Sequence, residues 1–389
     1  MARGEMSEAA ERRHRRIYEI LRRTAAKPVI RAMRFSGEKI SGIAGPLLIL
    51  SNHNTDLDPV LVGSASETHL YFVASEHLFR KGWISSVVEW AFGPIHRMKG
   101  STDATAALDI MRRLRRGNSV CMFPEGNRSY TGLTGPVFPA TGKLVRAAGA
   151  TLVTYRMEGG YLATPRWGKK KRKGPIRGRI AGVYTRETLK SMTPESINGL
   201  IERDLFEDAF ATQSVHGDVY KGKDLAEYLE TALFICPKCG KAGHMHSLGD
   251  RFTCGECGFS VLYSETGRFS GDEVPFDTVS GWDAWQTERL WELAGEGVCF
   301  EDGGAVLSRW DPETTARIAR GTLRMDEAFL SVGEERFPLN GISGFGLIAR
   351  ARINFTAEGK HYEISSADPA FCARKYFLLF GILQGGRTE

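Results

Sequence analysis

Apolar residues fall in two patterns along this chain, and the switch between them divides it. From Pro46 onward come short unbroken apolar runs bounded by turn residues: LLILS at 47–51, a run at 70–74, SVCMF at 119–123 and TLVTY at 151–155. Such runs read as strands buried on both faces. Helical patterns lie between them. One opens at Pro59 with Asp58 as its N-cap, a second covers Ser101–Arg116 with Gly117 just past its end, and a third lies around Gly142–Ala148. The alternation predicts an α/β domain over 46–230, a mixed sheet flanked by helices with functional loops at its strand ends.

Upstream, residues 1–45 read as basic amphipathic helices. Ile17, Ile20, Leu21, Val29, Ile30 and Met33 recur at helical spacing among Arg12, Arg13, Arg15, Arg16, Arg22 and Arg23. This segment suits a helix lying flat on a bilayer and equally a helix docked on the protein's own core. After residue 230 the texture changes to two Cys-x2-Cys pairs in a Gly-rich stretch, which sets off a small module at 231–265. Residues 266–389 then read as a linker and a β-rich domain. From about 320, FLSV, RINFT and HYEIS are separated by turn residues, and KYFLLFGIL closes the chain as a helix. A pleckstrin-like barrel is the expected form, with lipid headgroups, another protein or nothing as its ligand.

The seven cysteines (121, 236, 239, 254, 257, 299 and 372) are odd in number and clustered, unlike a disulfide framework, and favour a reducing compartment. Met1–Lys27 is charged throughout and lacks the apolar core of a secretory signal. No stretch reaches the ~18 apolar residues of a spanning helix. The expected location is therefore cytoplasmic, peripheral on the inner face of the cell membrane. The net charge of +6 gathers at the N-terminal arginines and at Lys169, Lys170, Lys171, Arg172 and Lys173, patches that attract phosphate or serve simply as a solvated face. EGGYLATPRW at 158–167, with Trp167 before the lysine run, suits a loop near a bilayer.

Cys236-x2-Cys239 and Cys254-x2-Cys257, each pair followed by a glycine (Gly240, Gly258), have the spacing of a four-thiolate zinc ribbon. Two tight turns supply the two edges of a tetrahedron and leave no position open for water, so the metal is expected to be structural zinc. His244 and His246 lie between the pairs and are surplus to four sulfurs. Zinc ribbons also occur in nucleic-acid binders, but only Phe252, Phe259 and Tyr263 accompany Lys238, Lys241 and Arg251 here, too few to stack bases. No nucleic-acid partner is expected.

Three loops carry candidate chemistry. His53 and Asp58 stand where a strand hands over to a helix, so the carboxylate can hold one ring nitrogen and leave the other for an alcohol proton; a plain helix cap is the alternative for Asp58. FPEGNRS at 123–129 puts Glu125, Gly126 and Arg128 on a loop after a strand, Arg128 as a phosphate donor and Gly126 for close backbone approach. FGPIHRMKG at 92–100 adds His96, Arg97 and Lys99. A surface ion pair is the alternative for either arginine. Ser51, Ser129 and Cys121 are the rival nucleophiles of a hydrolase, but none sits in a GxSxG elbow, and Cys121 lies within a strand.

Together the three loops resemble the glycerolipid acyltransferase family, the lysophosphatidic acid acyltransferases. Asn52, His53 and Asp58 match its first motif, Gly93, Ile95 and Arg97 its second, and FPEGNRS its FPEGTRS block with Asn127 in place of threonine. The fourth block, valine-proline-valine in the family, reads Leu152, Val153, Thr154 and Tyr155 here, without the proline. The resemblance covers about 45–230 and implies transfer of a fatty acyl group from acyl-coenzyme A or acyl-carrier protein to a lysophospholipid acceptor. It implies His53 as general base, Asp58 as its orienting partner, and Arg97, Glu125, Gly126 and Arg128 in acceptor binding. A catalytically inactive lipid-binding scaffold would carry the same charges.

Overall fold

The unbroken apolar runs become the interior of a sheet. The computed structural model describes residues 6–75, 83–97, 104–310 and 315–385, apart from the side chains of Ser75 and Ile84. Lys99 lies outside the described residues, as do the first residues of the helix expected from Ser101. The chain divides into two compact units. The N-terminal unit holds the residues up to Ser129 together with Leu133–Ala163 and Lys173–Val219; the C-terminal unit holds Tyr130–Gly132, Thr164–Arg172 and everything from Tyr220.

The N-terminal unit begins with α1 (Glu8–Arg23), α2 (Ala26–Ala32), β1 (Phe35–Gly37), β2 (Leu47–Ser51), α3 (Asp58–Ala65) and β3 (Leu70–Ser75). It continues through α4 (Trp83–Phe92), β4 (Ile95–Arg97), α5 (Ala104–Arg115), β5 (Ser119–Met122) and α6 (Ala140–Ala148). β6 (Thr151–Glu158), α7 (Gly160–Ala163), β7 (Ile176–Tyr184), α8 (Arg186–Ser191), α9 (Pro194–Leu205) and α10 (Ala209–His216) complete it. The sheet has the order β1-β7-β6-β2-β5-β3-β4. β6, β2, β5, β3 and β4 run parallel, while β7 is antiparallel to β6, giving the expected mixed sheet. Leu48, Leu50, Val120 and Leu152 pack under Ile110 and Leu114 of α5 and Ile197 and Ile201 of α9. In a parallel sheet all these strands end on one side, so the loops after β2, β4, β5 and β6 converge there.

α1 is capped by Ser7, whose side chain accepts from the Ala10 amide. It docks on its own domain: His14 and Tyr18 are buried, the Tyr18 hydroxyl donates to the Gly63 carbonyl at 2.9 Å, and the Arg13 Nε to the Trp90 carbonyl at 3.1 Å. Its arginine face stays outside. No helix among the described residues is long and apolar enough to cross a membrane.

The C-terminal unit contains two antiparallel sheets. β8 (Met245–Leu248), β9 (Arg251–Cys254), β10 (Ser260–Tyr263) and β11 (Phe269–Ser270) form a ribbon in the order β11-β10-β9-β8. α11 (Val279–Gly295) follows, within the stretch expected to be linker. Then come β12 (Phe300–Trp310), β13 (Thr315–Met325), β14 (Phe329–Val332), β15 (Glu335–Pro338), β16 (Ile342–Ile348), β17 (Arg352–Ala357), β18 (Lys360–Ser366) and the closing helix α12 (Ala373–Leu383). The seven strands pair in the order β15-β14-β13-β12-β18-β17-β16. Tyr376, Leu379 and Ile382 of α12 share a core with Leu307, Leu330, Ile353 and Phe355. The β-rich region thus starts near Phe300, earlier than the 320 expected.

The 164–172 segment belongs to this unit and buries Arg166, Trp167 and Arg172 in it while Lys169, Lys170 and Lys171 stay exposed. Trp167 is 0% exposed, with its ring 5.5 Å edge-on from Tyr263 and the Arg172 guanidinium 5.1 Å above it. The expectation of a bilayer-facing loop at Trp167 therefore meets an enclosed ring. The lysine run is partly spent within the same unit: Lys169 pairs with Glu227 at 3.3 Å, Lys170 with Asp224, and Arg172 donates to the Leu225 carbonyl at 2.6 Å.

Candidate active site and cysteine cluster

β2 ends at Ser51 and α3 begins at Asp58, so the six residues between must turn sharply over the sheet edge. Asp58 is the first residue of α3, and its carboxylate reaches back into the turn. It accepts the Asn54 amide at 2.7 Å and the Thr55 amide at 2.8 Å on one oxygen, and the Thr55 hydroxyl at 2.6 Å on the other. The fourth donor is His53 Nδ1, 2.9 Å away. Asp58 is wholly buried, and its four donors supply the hydrogen bonds that a buried carboxyl needs. With Nδ1 engaged by Asp58, Nε2 is the ring nitrogen that remains for another partner. Its side chain is 21% exposed and its ring stacks on Phe123 with 4.4 Å between centroids. Elsewhere, His14 and His69 sit in the core, where burial lowers the pKa of both and takes His69 to about 3.

Glu125 follows β5, and its side chain points across to the β2 loop rather than outward. One oxygen accepts the His53 amide at 2.7 Å, the other the Gly135 amide at 2.8 Å. The Ser129 amide also donates to the His53 carbonyl at 3.1 Å. His53 is thus gripped on both sides of its backbone by the FPEGNRS loop. Burial pushes the Glu125 carboxyl up to about 8 against the pull of its two amide donors. Gly126 has φ +71°, and a Cβ there would fall 2.5 Å from the Phe138 ring, so both the turn and the close approach call for glycine.

Arg128 lies over the same turn. Its Nε donates to the Asn54 carbonyl at 3.1 Å, and Nη1 pairs with Asp56 at 2.9 Å. Arg97, at the end of β4, stacks its guanidinium 4.4 Å from the Phe138 centroid, close to Gly126. His96 bonds Glu89 through Nε2 at 2.7 Å. The structure therefore brings His53, Asp58, Glu125 and Arg128 into one bonded network, with Gly126 and Arg97 at its edge against Phe138.

Sequence reasoning missed the far side of this network. Glu207, between α9 and α10, accepts the Asn54 side-chain amide at 2.5 Å and the Gly159 amide at 2.7 Å. Burial raises it, too, to about 8. Asn52 exchanges two bonds with the Met157 backbone at 2.7 and 2.8 Å, locking the end of β2 to β6. Gly160 lies against the same turn, where a Cβ would meet Asn54 Cβ at 2.8 Å. The paired glycines of EGGY thus serve the His53 turn. The rival nucleophiles are occupied: Ser129 Oγ donates to the Leu133 carbonyl at 2.6 Å, Ser51 Oγ to that of Asn52 at 3.3 Å, and Cys121 is enclosed, with burial raising its thiol far above its usual range.

In the C-terminal unit the Sγ atoms of Cys236, Cys239, Cys254 and Cys257 lie within 4.8 Å of one another. Cys236–Cys257 and Cys239–Cys254 are 3.7 and 3.8 Å apart. A tetrahedron of sulfurs about 2.3 Å from zinc has edges of roughly 3.8 Å, so the four fit such an ion. Gly240 and Gly258, at φ +69° and +72°, supply the left-handed turns behind each pair. His244 stands aside, 3.4 Å from Glu256.

The site thus joins an imidazole held by a buried carboxylate, at the carboxyl ends of parallel strands, to arginines on neighbouring strand ends. The acyltransferase family model matches residues 32–158, and the chain carries an acyltransferase domain there. A model described as ribosomal protein S27a matches residues 224–263, the cysteine module. Among solved structures, the chain is similar to the 1-acyl-sn-glycerophosphate (LPA) acyltransferase PlsC from Thermotoga maritima. The identity is 14%, over 51% of this chain and 83% of that one, with a TM-score of 0.39.

Proposed function

We propose that the chain transfers a fatty acyl group from an acyl thioester, carried by coenzyme A or acyl-carrier protein, to the free hydroxyl of a 1-acyl-glycerol 3-phosphate, in phospholipid biosynthesis. The observation that carries this is the 2.9 Å bond between Asp58 and His53 Nδ1, which leaves Nε2 as the base. Nε2 takes the acceptor's hydroxyl proton as its oxygen attacks the thioester carbonyl. The tetrahedral intermediate collapses, the C–S bond breaks, and the thiolate leaves with the proton returned from the imidazolium. The products are an ester and a free thiol, with no acyl-enzyme. Asp58 stabilises the transient imidazolium. Arg97 and Arg128 hold the acceptor phosphate, and Glu125 and Gly126 shape that pocket. The four cysteines hold a structural zinc that folds the 231–265 ribbon. The protein works at the cytoplasmic face of the cell membrane.

The test is acyl transfer by the purified chain from long-chain acyl-coenzyme A to lysophosphatidate, with the diacyl product read by mass spectrometry. His53→Ala should lose roughly 10²- to 10⁴-fold in rate, the range that general-base catalysis supplies. Near-normal turnover in that variant would sink the mechanism. Product from glycerol 3-phosphate or another lysolipid, but not from lysophosphatidate, would move the acceptor and keep the base.

A further inference from the structure

We infer that the outer face of α4 is the surface by which the N-terminal unit docks on an anionic lipid bilayer. The choice of occupant rests on the lipid-acyl-transfer reading above. Trp83, Val87 and Trp90 follow one another at helical spacing and are 76%, 50% and 57% exposed, while Ser85 and Ala91 on the other side are buried. Two indoles and a valine on one short helix form an apolar stripe of the kind that marks an interaction site.

The stripe has a cationic border. The Arg13 guanidinium of α1 lies 4.9 Å from the centre of the Trp90 ring and bonds the Trp90 carbonyl, and Arg12 and Arg16 of α1 are exposed nearby in the chain. The helix's single acid, Glu89, is engaged by His96. Indoles with arginines beside them match the boundary between acyl chains and anionic headgroups, where rings insert and guanidinium groups stay with phosphate. α4 also runs through Gly93 and Pro94 straight into β4, whose Arg97 lies over Phe138, itself 42% exposed. The lipid-facing helix and the arginine proposed to hold the acceptor phosphate are therefore consecutive elements.

The experiment is co-sedimentation of the full chain with phosphatidylcholine vesicles containing phosphatidylglycerol, and with vesicles of phosphatidylcholine alone. The wild type should bind the anionic vesicles and bind the neutral ones less. The double variant Trp83→Glu, Val87→Glu should lose about tenfold or more in vesicle partitioning with an unchanged circular dichroism spectrum, whereas Trp83→Phe should keep it. Undiminished binding by the folded double variant would overturn the proposal. So would a wild type that ignores anionic vesicles, or one that elutes as a dimer which the double variant dissociates, since the face would then belong to a second copy. Transfer to a short-chain acceptor dispersed as monomers, measured in parallel, should be equal in the two proteins. Its absence from both would count against the acyl-transfer reading alone.

Discussion

The His53 turn and the cysteine cluster are both compact groups of polar side chains, yet they are held in opposite ways. The carboxyls and asparagines around the turn end on protein partners: Asp58 on four donors, Glu125 on two amides, Glu207 on an amide and Asn54, and Asn52 on a strand. The four sulfurs are grouped by two left-handed turns and have one another as near neighbours. The first site is held in place by the fold, the arrangement that preorganised catalysis calls for. The second has the geometry of a site that an ion organises, since four sulfurs at these spacings fit one tetrahedral zinc.

The largest effect should follow from attacking that second site. Structural zinc contributes roughly 10–16 kcal/mol in small ribbon peptides, as much as a whole domain's net stability of about 5–15 kcal/mol. Zinc should be present at about one ion per chain by atomic emission. Cys236→Ser, or a strong chelator, should open 236–263 to proteolysis while 46–129 stays resistant. Equal resistance with and without the ion would break the comparison, since the fold would then be holding both sites.

Asp58→Asn attacks the first site without changing its shape. An asparagine amide would turn an NH2 group toward donors that now bond a carboxylate, and the imidazole would lose its orienting charge. Turnover should fall roughly 10²- to 10⁴-fold. Melting should show a loss of about 1–3 kcal/mol, the cost of a buried donor left unpaired. A normal rate with the melting change alone would reduce Asp58 to the helix-start residue that its place before Pro59 also allows.

The two sites also differed in how readily the sequence disclosed them. The cysteine spacing is local, and four residues in two turns sufficed to place the cluster. The His53–Asp58 pair is local as well, and the apolar runs at 47–51, 119–123 and 151–155 were legible as strands because parallel strands are buried on both faces. Glu207 was not legible: it comes 154 residues after His53, in an ordinary FEDAF context, and only the fold brings it to Asn54. Glu125 was picked out from its place on a loop after a strand, but its inward aim depends on the register of β2 and β5. β12 and β13 went unread because FEDGGAVLSRW and TARIARGTLRM interleave charges and glycines with few apolar positions. α11 was taken for linker because its buried Trp282, Gln286 and Leu290 form too narrow a stripe to outweigh its charged residues. Trp167 misled because an aromatic beside a lysine run has the same spelling at a bilayer and in a core.

The smallest expected effect sharpens the comparison most. Glu125 and Glu207 both have folded-state values of about 8, raised by burial above the usual 4.5. Between those values the folded protein binds more protons than the unfolded chain, so stability declines as pH rises from about 4.5 to about 8 and is fully present only below that window. Glu207→Gln removes one of the two titrations and should make the decline shallower in urea melts across the window. Because glutamine offers a single acceptor to two donors, Asn54 and Gly159, the variant should also lose about 1–3 kcal/mol at low pH, where the native acid is neutral as well. Glu207→Asp keeps the titration but shortens the reach to Asn54, so its pH slope should stay close to that of the wild type while turnover falls. A slope that Glu207→Gln leaves unchanged would mean that Glu207 keeps its charge throughout, and that the turn carrying His53 is held by a buried anion at 207.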